Sequence, residues 1–408
     1  SLIVIHSDYG NSKKIMKEIY SNINIVGGGL IGTITAFSLS NLGYKITILE
    51  KNPPFKKKNY LDMRTTAISE GTKKFLDSIG FWKDISKFSQ PINMIKVLDR
   101  KLTNKLSFDN LRRKSNLGYI IENKHILDKI YFKLKEKKNE KILNNFKLTD
   151  LYTSKDKTII NSDKIKIISD LNIAADGKNS FVKKILKTPH YFKDYKKSAF
   201  VLTFTHSKNH NNTAYEFFYE NGPLAILPMK KNKDKFLSSI VWTNKNHFLN
   251  SLLSMSDVYI KKILDQNTHN CLGNIKEIIT KQQFPLSAHL NSRLYEQKTI
   301  YVGDSAHSFH PIAGQGWNLG MKSVENLYNL TKKYKTLGID LGSNEFCKNY
   351  HNDNFYNALA LYQITDKLDH IFKIQNPFLY FARSTTLKLI NKNILLKNKI
   401  SDYAMGIN

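Results

Sequence analysis

The chain has 408 residues, 41% of them hydrophobic and 12% aromatic, enough to bury a sizeable core in two or three domains. No apolar run reaches the roughly 18 residues that a bilayer-spanning helix needs, and no basic-then-apolar leader opens the sequence, so neither a membrane span nor a secretory signal is expected. The net charge of +29 is spread along the chain as lysine among abundant Asn and Ile, without a basic module interleaved with aromatics, which argues for compositional drift first, an anionic membrane surface second, and against nucleic acid as a partner.

Cys271 and Cys347, the two cysteines, stand far apart. They point to a reducing compartment and offer no metal-site spacing. Residues 1–21 carry no diagnostic signal and are assigned no function. The first clear element is an apolar strand at Ile23–Val26, followed by Gly27-Gly28-Gly29-Leu30-Ile31-Gly32, a helix stopped by Gly43, and a second strand, Tyr44–Leu49, ending in Glu50. This is G-x-G-x-x-G inside a complete βαβ unit, with an acid about 20 residues on. In such a unit Gly27 makes the tight turn, Gly29 clears room for a pyrophosphate, Gly32 lets helix and strand touch, and Glu50 holds ribose hydroxyls. An acid at that position disfavours a 2′-phosphate, and the adenosine half could belong to FAD or to NAD.

Arg64 opens the next segment, whose helical pattern at Phe75, Leu76 and Ile79 ends at Gly80. In a chain with few arginines, one beside a phosphate site is a candidate to neutralise it. Strands are expected at Ile95–Leu98, Lys105–Phe108 and Tyr119–Ile121, and a helix over Asn123–Phe132. Residues 141–175 alternate as strands and end at Asp176-Gly177, a second strand-to-acid-glycine junction. Residues 190–285 read as a mostly antiparallel sheet forming one wall of a cavity, with a hairpin-like turn at Asn221-Gly222-Pro223 and one amphipathic helix over Leu252–Leu264.

Thr299–Val302 is a buried strand ending at Gly303-Asp304. A loop from His307 to Ala313 leads into a helix that starts near Gly314-Gln315-Gly316 and carries Met321, Val324 and Tyr328 on one face. A glycine-lined helix start points free N–H groups at something electron-rich, and Asp304 can accept a hydroxyl hydrogen bond. The remainder reads as helices at Leu327–Tyr334, Asn344–Thr365 and Asp366–Ile400 with a break at Pro377. Within it, Phe372–Leu396 is amphipathic and basic, and packing on its own domain is preferred to lying on a bilayer.

The three glycine-acid signals, GGGLIG with Glu50, ADGKNS at 175–180 and GDSAHSFHPIAGQGWNLG at 303–320, together resemble the class A flavin monooxygenases of the p-hydroxybenzoate hydroxylase fold. Finer features are similar to the branch that hydroxylates ubiquinone precursors: MRTTAIS at 63–69, GPLAILP at 222–228, VW at 241–242, FPLS at 284–287 and AMG at 404–406. The resemblance spans residues 22–406. It departs at Lys183, where the family has arginine, and at Ser323, where it has aspartate.

This resemblance implies an α/β fold: a Rossmann-like FAD-binding domain (22–90 with 112–188 and 286–330), an inserted antiparallel substrate domain (91–111 with 189–285) and a C-terminal helical region (331–408). It implies FAD as cofactor, NAD(P)H as reductant, and hydroxylation of a prenylated phenol by O2 through a flavin C4a-hydroperoxide. The flavin then carries the chemistry, and no side chain is assigned as catalytic, His307 and His310 included. The cofactor contacts implied are Gly27, Gly29, Leu30, Ile31, Gly32, Glu50, Lys51, Arg64, Asn123, Asp176, Gly177, Asp304, Pro311, Gly314, Gln315, Gly316 and Asn318, with Pro311 and Gly314 at the flavin edge and Ile312 beside them. Gly222, Pro223, Leu224, Ala225, Leu227, Pro228 and Trp242 would close the substrate side. A cytoplasmic or, in a eukaryote, mitochondrial matrix location is expected, with peripheral membrane or biosynthetic-complex association left open. Competing readings are a same-fold flavin oxidoreductase or hydroxylase acting on another aromatic, and a non-catalytic FAD-fold subunit of a membrane-associated biosynthetic complex.

Overall fold

In the computed structural model, residues 16–52, 64–99, 105–109, 115–309 and 315–373 are described. Lys17–Val26 runs parallel to Ile46–Glu50 on one side and to Ile165–Ala174 on the other. Thr299–Tyr301 and Glu140–Asn144 extend the parallel set outward, while a hairpin of Asp150–Ser154 and Lys157–Asn161 joins Ile165–Ala174 antiparallel. Ile23, Ile25 and Asn24 are all fully buried, so both faces of this sheet are covered, as a parallel sheet requires. Helices Leu30–Ser40, Asn123–Lys135 and Gln315–Leu337 share one core with it.

A second eight-stranded sheet takes Met94–Asp99 and Lys105–Asp109 together with His190–His206, Thr213–Tyr219, Gly222–Asn232, Lys235–Lys245, Ile275–Asn291 and His307–Ser308. Its pairings are antiparallel except Thr213–Tyr219 with Met94–Asp99. A small antiparallel sheet of Thr65–Ile68, Gly118–Glu122 and Gln90–Ile92 lies between the two large ones: its Ala67 and Ile120 pack with Ala214, Leu227 and Leu237 of the second sheet. The expected mixed α/β architecture, a parallel sheet plus a mostly antiparallel one, is the one observed.

Several local expectations are corrected. The first strand begins at Lys17, because its more polar half KEIYS pairs in register with Ile165–Ser169. The single helix expected over Leu252–Leu264 is two, Asn246–Ser254 and Asp257–Asn267, broken where Met255 and Ser256 adopt extended backbone and Asp257 opens a new first turn. The apolar stripe continues across the break through Leu249, Leu252, Ile260 and Leu264, so periodicity alone conceals it. The hairpin turn is Glu220-Asn221, with Gly222 and Pro223 already in the strand. The helix expected at Leu327–Tyr334 is the second half of one helix, Gln315–Leu337, of 23 residues. Asn344–Lys373 follows and is tied to the parallel sheet by Tyr350, whose hydroxyl donates to Tyr301 O at 2.7 Å. The break at Pro377 and most of the basic amphipathic stretch lie outside the described residues.

Candidate active site

Three neighbouring parallel strands end at the three glycine-acid motifs. Lys17–Val26 runs into Gly27-Gly28-Gly29, Ile165–Ala174 into Asp176-Gly177, and Thr299–Tyr301 into Gly303-Asp304. Backbone hydrogen bonds lace these loops: Gly27 N–H donates to Leu49 O at 2.9 Å, Ala175 N–H to Val26 O at 2.8 Å and Val302 N–H to Ala174 O at 3.0 Å. Ser305 Oγ adds a bond to Ala174 O at 2.5 Å. The crevice beyond the carboxyl ends of an open parallel sheet is where such folds bind ligands. The long glycine helix is keyed to the same rim, since a methyl on Gly320 would meet Gly303 Cα at 3.3 Å and Ile31 Cδ1 at 3.4 Å.

The glycines of the first loop do different things. Gly27 has φ +112°, and a Cβ there would lie 2.2 Å from Ala175 O. A Cβ on Gly32 would lie 2.0 Å from Gly27 O, so the helix presses directly on its own loop. At Gly29 no atom lies within 4 Å of such a Cβ, and the helix beginning at Leu30 has no side-chain cap. Open space in front of the uncapped N–H groups of the first turn is what a phosphate requires, so the loop fits a dinucleotide. The Glu50 carboxylate accepts from Gly28 N–H at 2.5 Å and from Asn52 N–H at 2.7 Å, while Lys51 is exposed beside it. Tyr131, not anticipated from sequence, donates its hydroxyl to Gly28 O at 2.8 Å. The signal was a tyrosine on the apolar face, with Ile126, Ile130 and Leu134, of helix Asn123–Lys135.

Asp176 Oδ2 accepts from Phe181 N–H at 2.7 Å and Val182 N–H at 3.1 Å, whereas Oδ1 is buried and has no partner among the described residues. Burial raises its carboxyl, although the N–H groups and Ser180 pull the other way. The orphaned oxygen fits a hydroxyl donor from a bound cofactor. Lys183 is buried nearby and its ammonium is pushed down by that burial, partly offset by Asp176. Asp304 is exposed and has no hydrogen-bond partner among the described residues, yet desolvation raises its carboxyl and Lys178 opposes the shift.

Arg64 places its guanidinium 6.0 Å from the Phe284 ring, bridging the small sheet and the second large sheet. Asn123 Oδ1 accepts from Thr66 Oγ1 at 2.6 Å. The Asn318 amide spans the same region: Nδ2 donates to Ala67 O at 2.9 Å and Oδ1 accepts from Ser69 N–H at 3.0 Å and Thr72 Oγ1 at 2.9 Å. Asn318 therefore fixes the glycine helix to the strand that Arg64 precedes. Ser323, on the same helix, donates to Leu319 O at 3.3 Å. Gln315 and Gly316 begin that helix, while His310, Pro311, Ile312 and Gly314 lie outside the described residues. His307 is buried and stacked on Phe309 at 5.0 Å, its imidazole pushed down to about 4 by burial.

Strand alternation divides the expected substrate residues between two faces. Phe200, Trp242, Leu224, Phe217 and Leu98 are cross-strand neighbours in one row, and all are buried against helices Asn246–Ser254 and Asp257–Asn267. Pro228 is on that side too. Gly222, with φ +146°, lets the backbone pass Thr243, whose Cγ2 would lie 2.6 Å from a Cβ there. The opposite face carries Pro223, Ala225 and Leu227, and Leu227 packs with Ala67 of the small sheet. One row on this face is Val201, Val241, Ala225, Glu216 and Val97, all partly exposed. A separate cavity of about 590 Å³, lined by Lys87, Lys124, Lys230 and Lys231 among others, includes none of the three glycine loops and is not the cofactor crevice.

A family described as FAD binding domain matches residues 20–336. Over 388 residues the chain is 28% identical to ubiquinone hydroxylase UbiL of Rhodospirillum rubrum, covering 95% of this chain and 90% of the relative. It is 24% identical to 3-demethoxyubiquinol 3-hydroxylase of Escherichia coli, covering 95% and 99%. Among solved structures, p-nitrophenol 4-monooxygenase PnpA of Pseudomonas putida superposes with TM-score 0.77 at 16% identity, covering 96% of this chain and 98% of that one. PqsL of Pseudomonas aeruginosa gives 0.75 at 14%, covering 87% and 97%.

Proposed function

This chain belongs to the FAD-binding-domain family, and on that premise we propose that it is an FAD-dependent monooxygenase hydroxylating the ring of a prenylated phenol in ubiquinone biosynthesis. O2 and NAD(P)H are its co-substrates. The observation that carries the reading is the convergence of three glycine-acid loops on one sheet rim, in a chain whose second sheet offers a partly exposed apolar row.

When bound, FAD supplies the redox chemistry that activates oxygen. The chain's own residues bind, orient and exclude water. Gly29 and the uncapped turn at Leu30 and Ile31 receive the pyrophosphate, Gly27 and Gly32 shape that loop, and Glu50 is directed at ribose. Asp176 and Asp304 accept from cofactor hydroxyls, and Arg64 supplies positive charge between the two sheets. Val201, Val241 and Ala225 form an apolar floor on which an aromatic ring lies away from bulk water, which protects the oxygen-transfer step. Pro223 and Leu227 border that floor. The helix that starts at Gln315 and Gly316 completes the site.

The prenyl tail of such a substrate partitions into membranes. The net charge of +29 supports docking on an anionic bilayer surface, and no described helix is long and apolar enough to cross one. Sedimentation with phosphatidylglycerol vesicles tests this: retention at low salt that is lost at high salt is expected. The catalytic reading is tested by reconstituting the protein with FAD and supplying NAD(P)H and a short-chain prenylphenol. A hydroxylated product, and restored ubiquinone in a strain blocked at one ring hydroxylation, are expected. A protein that takes up no flavin and restores no strain contradicts it.

A further inference from the structure

Glu216 is a carboxylate placed where the strand pattern calls for an apolar side chain. It sits in the aromatic strand Thr213–Tyr219, between Tyr215 and Phe217, whose rings stack at 6.4 Å on the other face. On its own face its cross-strand neighbours are Ala225 and Val97, and the row continues through Val241 to Val201. Strands are spaced about 4.8 Å apart, so Ala225 and Val241 extend the apolar floor by about 10 Å from Glu216, the size of a substituted phenyl ring. The same face carries Ala214, which packs with Ile120 of the small sheet, and Phe284, under the Arg64 guanidinium. Glu216 thus points into the space between the two large sheets. It makes no hydrogen bond or ion pair among the described residues.

Resting on the functional reading above, we propose that Glu216 is the general base that takes the phenolic proton of the substrate. The phenol O–H bond breaks, its electron pair stays on the oxygen, and the proton passes to a Glu216 carboxylate oxygen. The electron-rich ring then forms its new C–O bond ortho or para to that oxygen with one atom of O2; the O–O bond breaks, and the other atom leaves as water at the expense of the two electrons from NAD(P)H. The displaced ring hydrogen leaves as a proton, and Glu216 returns its own proton to the phenolic oxygen as aromaticity is restored. The net reaction consumes phenol, O2, NAD(P)H and one proton and yields the hydroxylated phenol, water and NAD(P)+, so the carboxylate is regenerated.

Burial alone raises the Glu216 carboxyl to about 7, and no described charge acts on it. Lys96, on the neighbouring strand, lies on the other face with its Nζ 5.7 Å from the Tyr215 ring centroid. Asp99 holds the position two along from Val97, opposite Phe218. Arg64, from the small sheet, reaches this face over Phe284, and Lys87, Lys124, Lys230 and Lys231 line a cavity with Met229 and Leu237 farther along it. A base poised near neutrality serves proton transfer best.

The test compares FAD-loaded wild type, E216Q and E216D with 2-prenylphenol and with fluorinated phenols of lower pKa. E216Q is expected to bind FAD as wild type does, to keep KM within a few-fold, and to lose about 100-fold or more in kcat at neutral pH. Its acidic limb near pH 7 should vanish, E216D should recover part of the rate, and the deficit should shrink as the phenol becomes more acidic. Independently of turnover, infrared difference spectra of wild type minus E216Q should show a protonated-carboxyl band that titrates near pH 7. Wild-type turnover matched by E216Q, or a band titrating in the ordinary carboxylate range, overturns this proposal alone. A wild type that hydroxylates no phenol overturns the functional reading as well.

Discussion

Gly32 stands against the carbonyl oxygen of Gly27: a methyl on Gly32 would lie 2.0 Å from it. The neighbouring Gly29 faces open space and has φ −76°, which any residue adopts. The two glycines therefore separate folding from binding. Gly32→Ala is expected to destabilise the protein by about 3 kcal/mol or more through backbone overpacking. Gly29→Ala should leave the melting temperature of the FAD-free protein nearly unchanged while weakening FAD binding by at least about 10-fold, because the methyl fills the phosphate space. Thermal melts of the FAD-free proteins and flavin fluorescence titrations separate the two effects.

Tyr131 holds the same loop from the other side through its bond to Gly28 O. Tyr131→Phe leaves that buried carbonyl without its partner and should cost about 1 to 2 kcal/mol. Denaturant unfolding of the FAD-free protein measures it, and kcat of the loaded enzyme should change little.

Asp304 behaves in the opposite sense. Its raised carboxyl pKa means that the charged form costs folding stability, so Asp304→Asn should leave the FAD-free protein as stable or slightly more stable. The neutral amide is a poorer acceptor for a cofactor hydroxyl, and FAD affinity should fall by about 10-fold or more. A destabilised variant with unchanged affinity would contradict this role.

The parallel sheet and its three loops were legible because each motif couples a strand end to glycines with specific backbone duties, as Gly27 and Gly32 demonstrate. Other features were hidden by how sequence patterns average. The Met255-Ser256 break is masked by an apolar stripe that resumes in phase. Leu224 and Ala225 are adjacent in sequence but lie on opposite sides of the sheet, so a motif such as GPLAILP does not reveal which residues face the ring. Glu216 was missed because aromatic neighbours dominate its strand, and only the cross-strand register exposes its position.

His289 supplies a pH dependence of stability. Burial, with the Lys183 ammonium second, pushes its imidazole from 6.5 down to about 3; its Nδ1 lies 2.9 Å from Ser308 Oγ. Because the folded-state pKa is depressed, the stabilisation is present above pH 6.5 and is lost as pH falls toward 3. His289→Gln removes that proton linkage. Between pH 7 and pH 5 wild type should lose about 2 kcal/mol more stability than the variant. Urea unfolding at both pH values tests this, and equal losses would show that His289 is not buried neutral.

The most direct measurement is the origin of the oxygen in the product. The FAD-loaded protein, NAD(P)H and a short-chain prenylphenol are incubated under 18O-labelled O2, and the product is analysed by mass spectrometry. One labelled oxygen on the ring is the predicted result. Label-free product, or hydrogen peroxide with no hydroxylated phenol, would contradict a monooxygenase built from these loops and this sheet face.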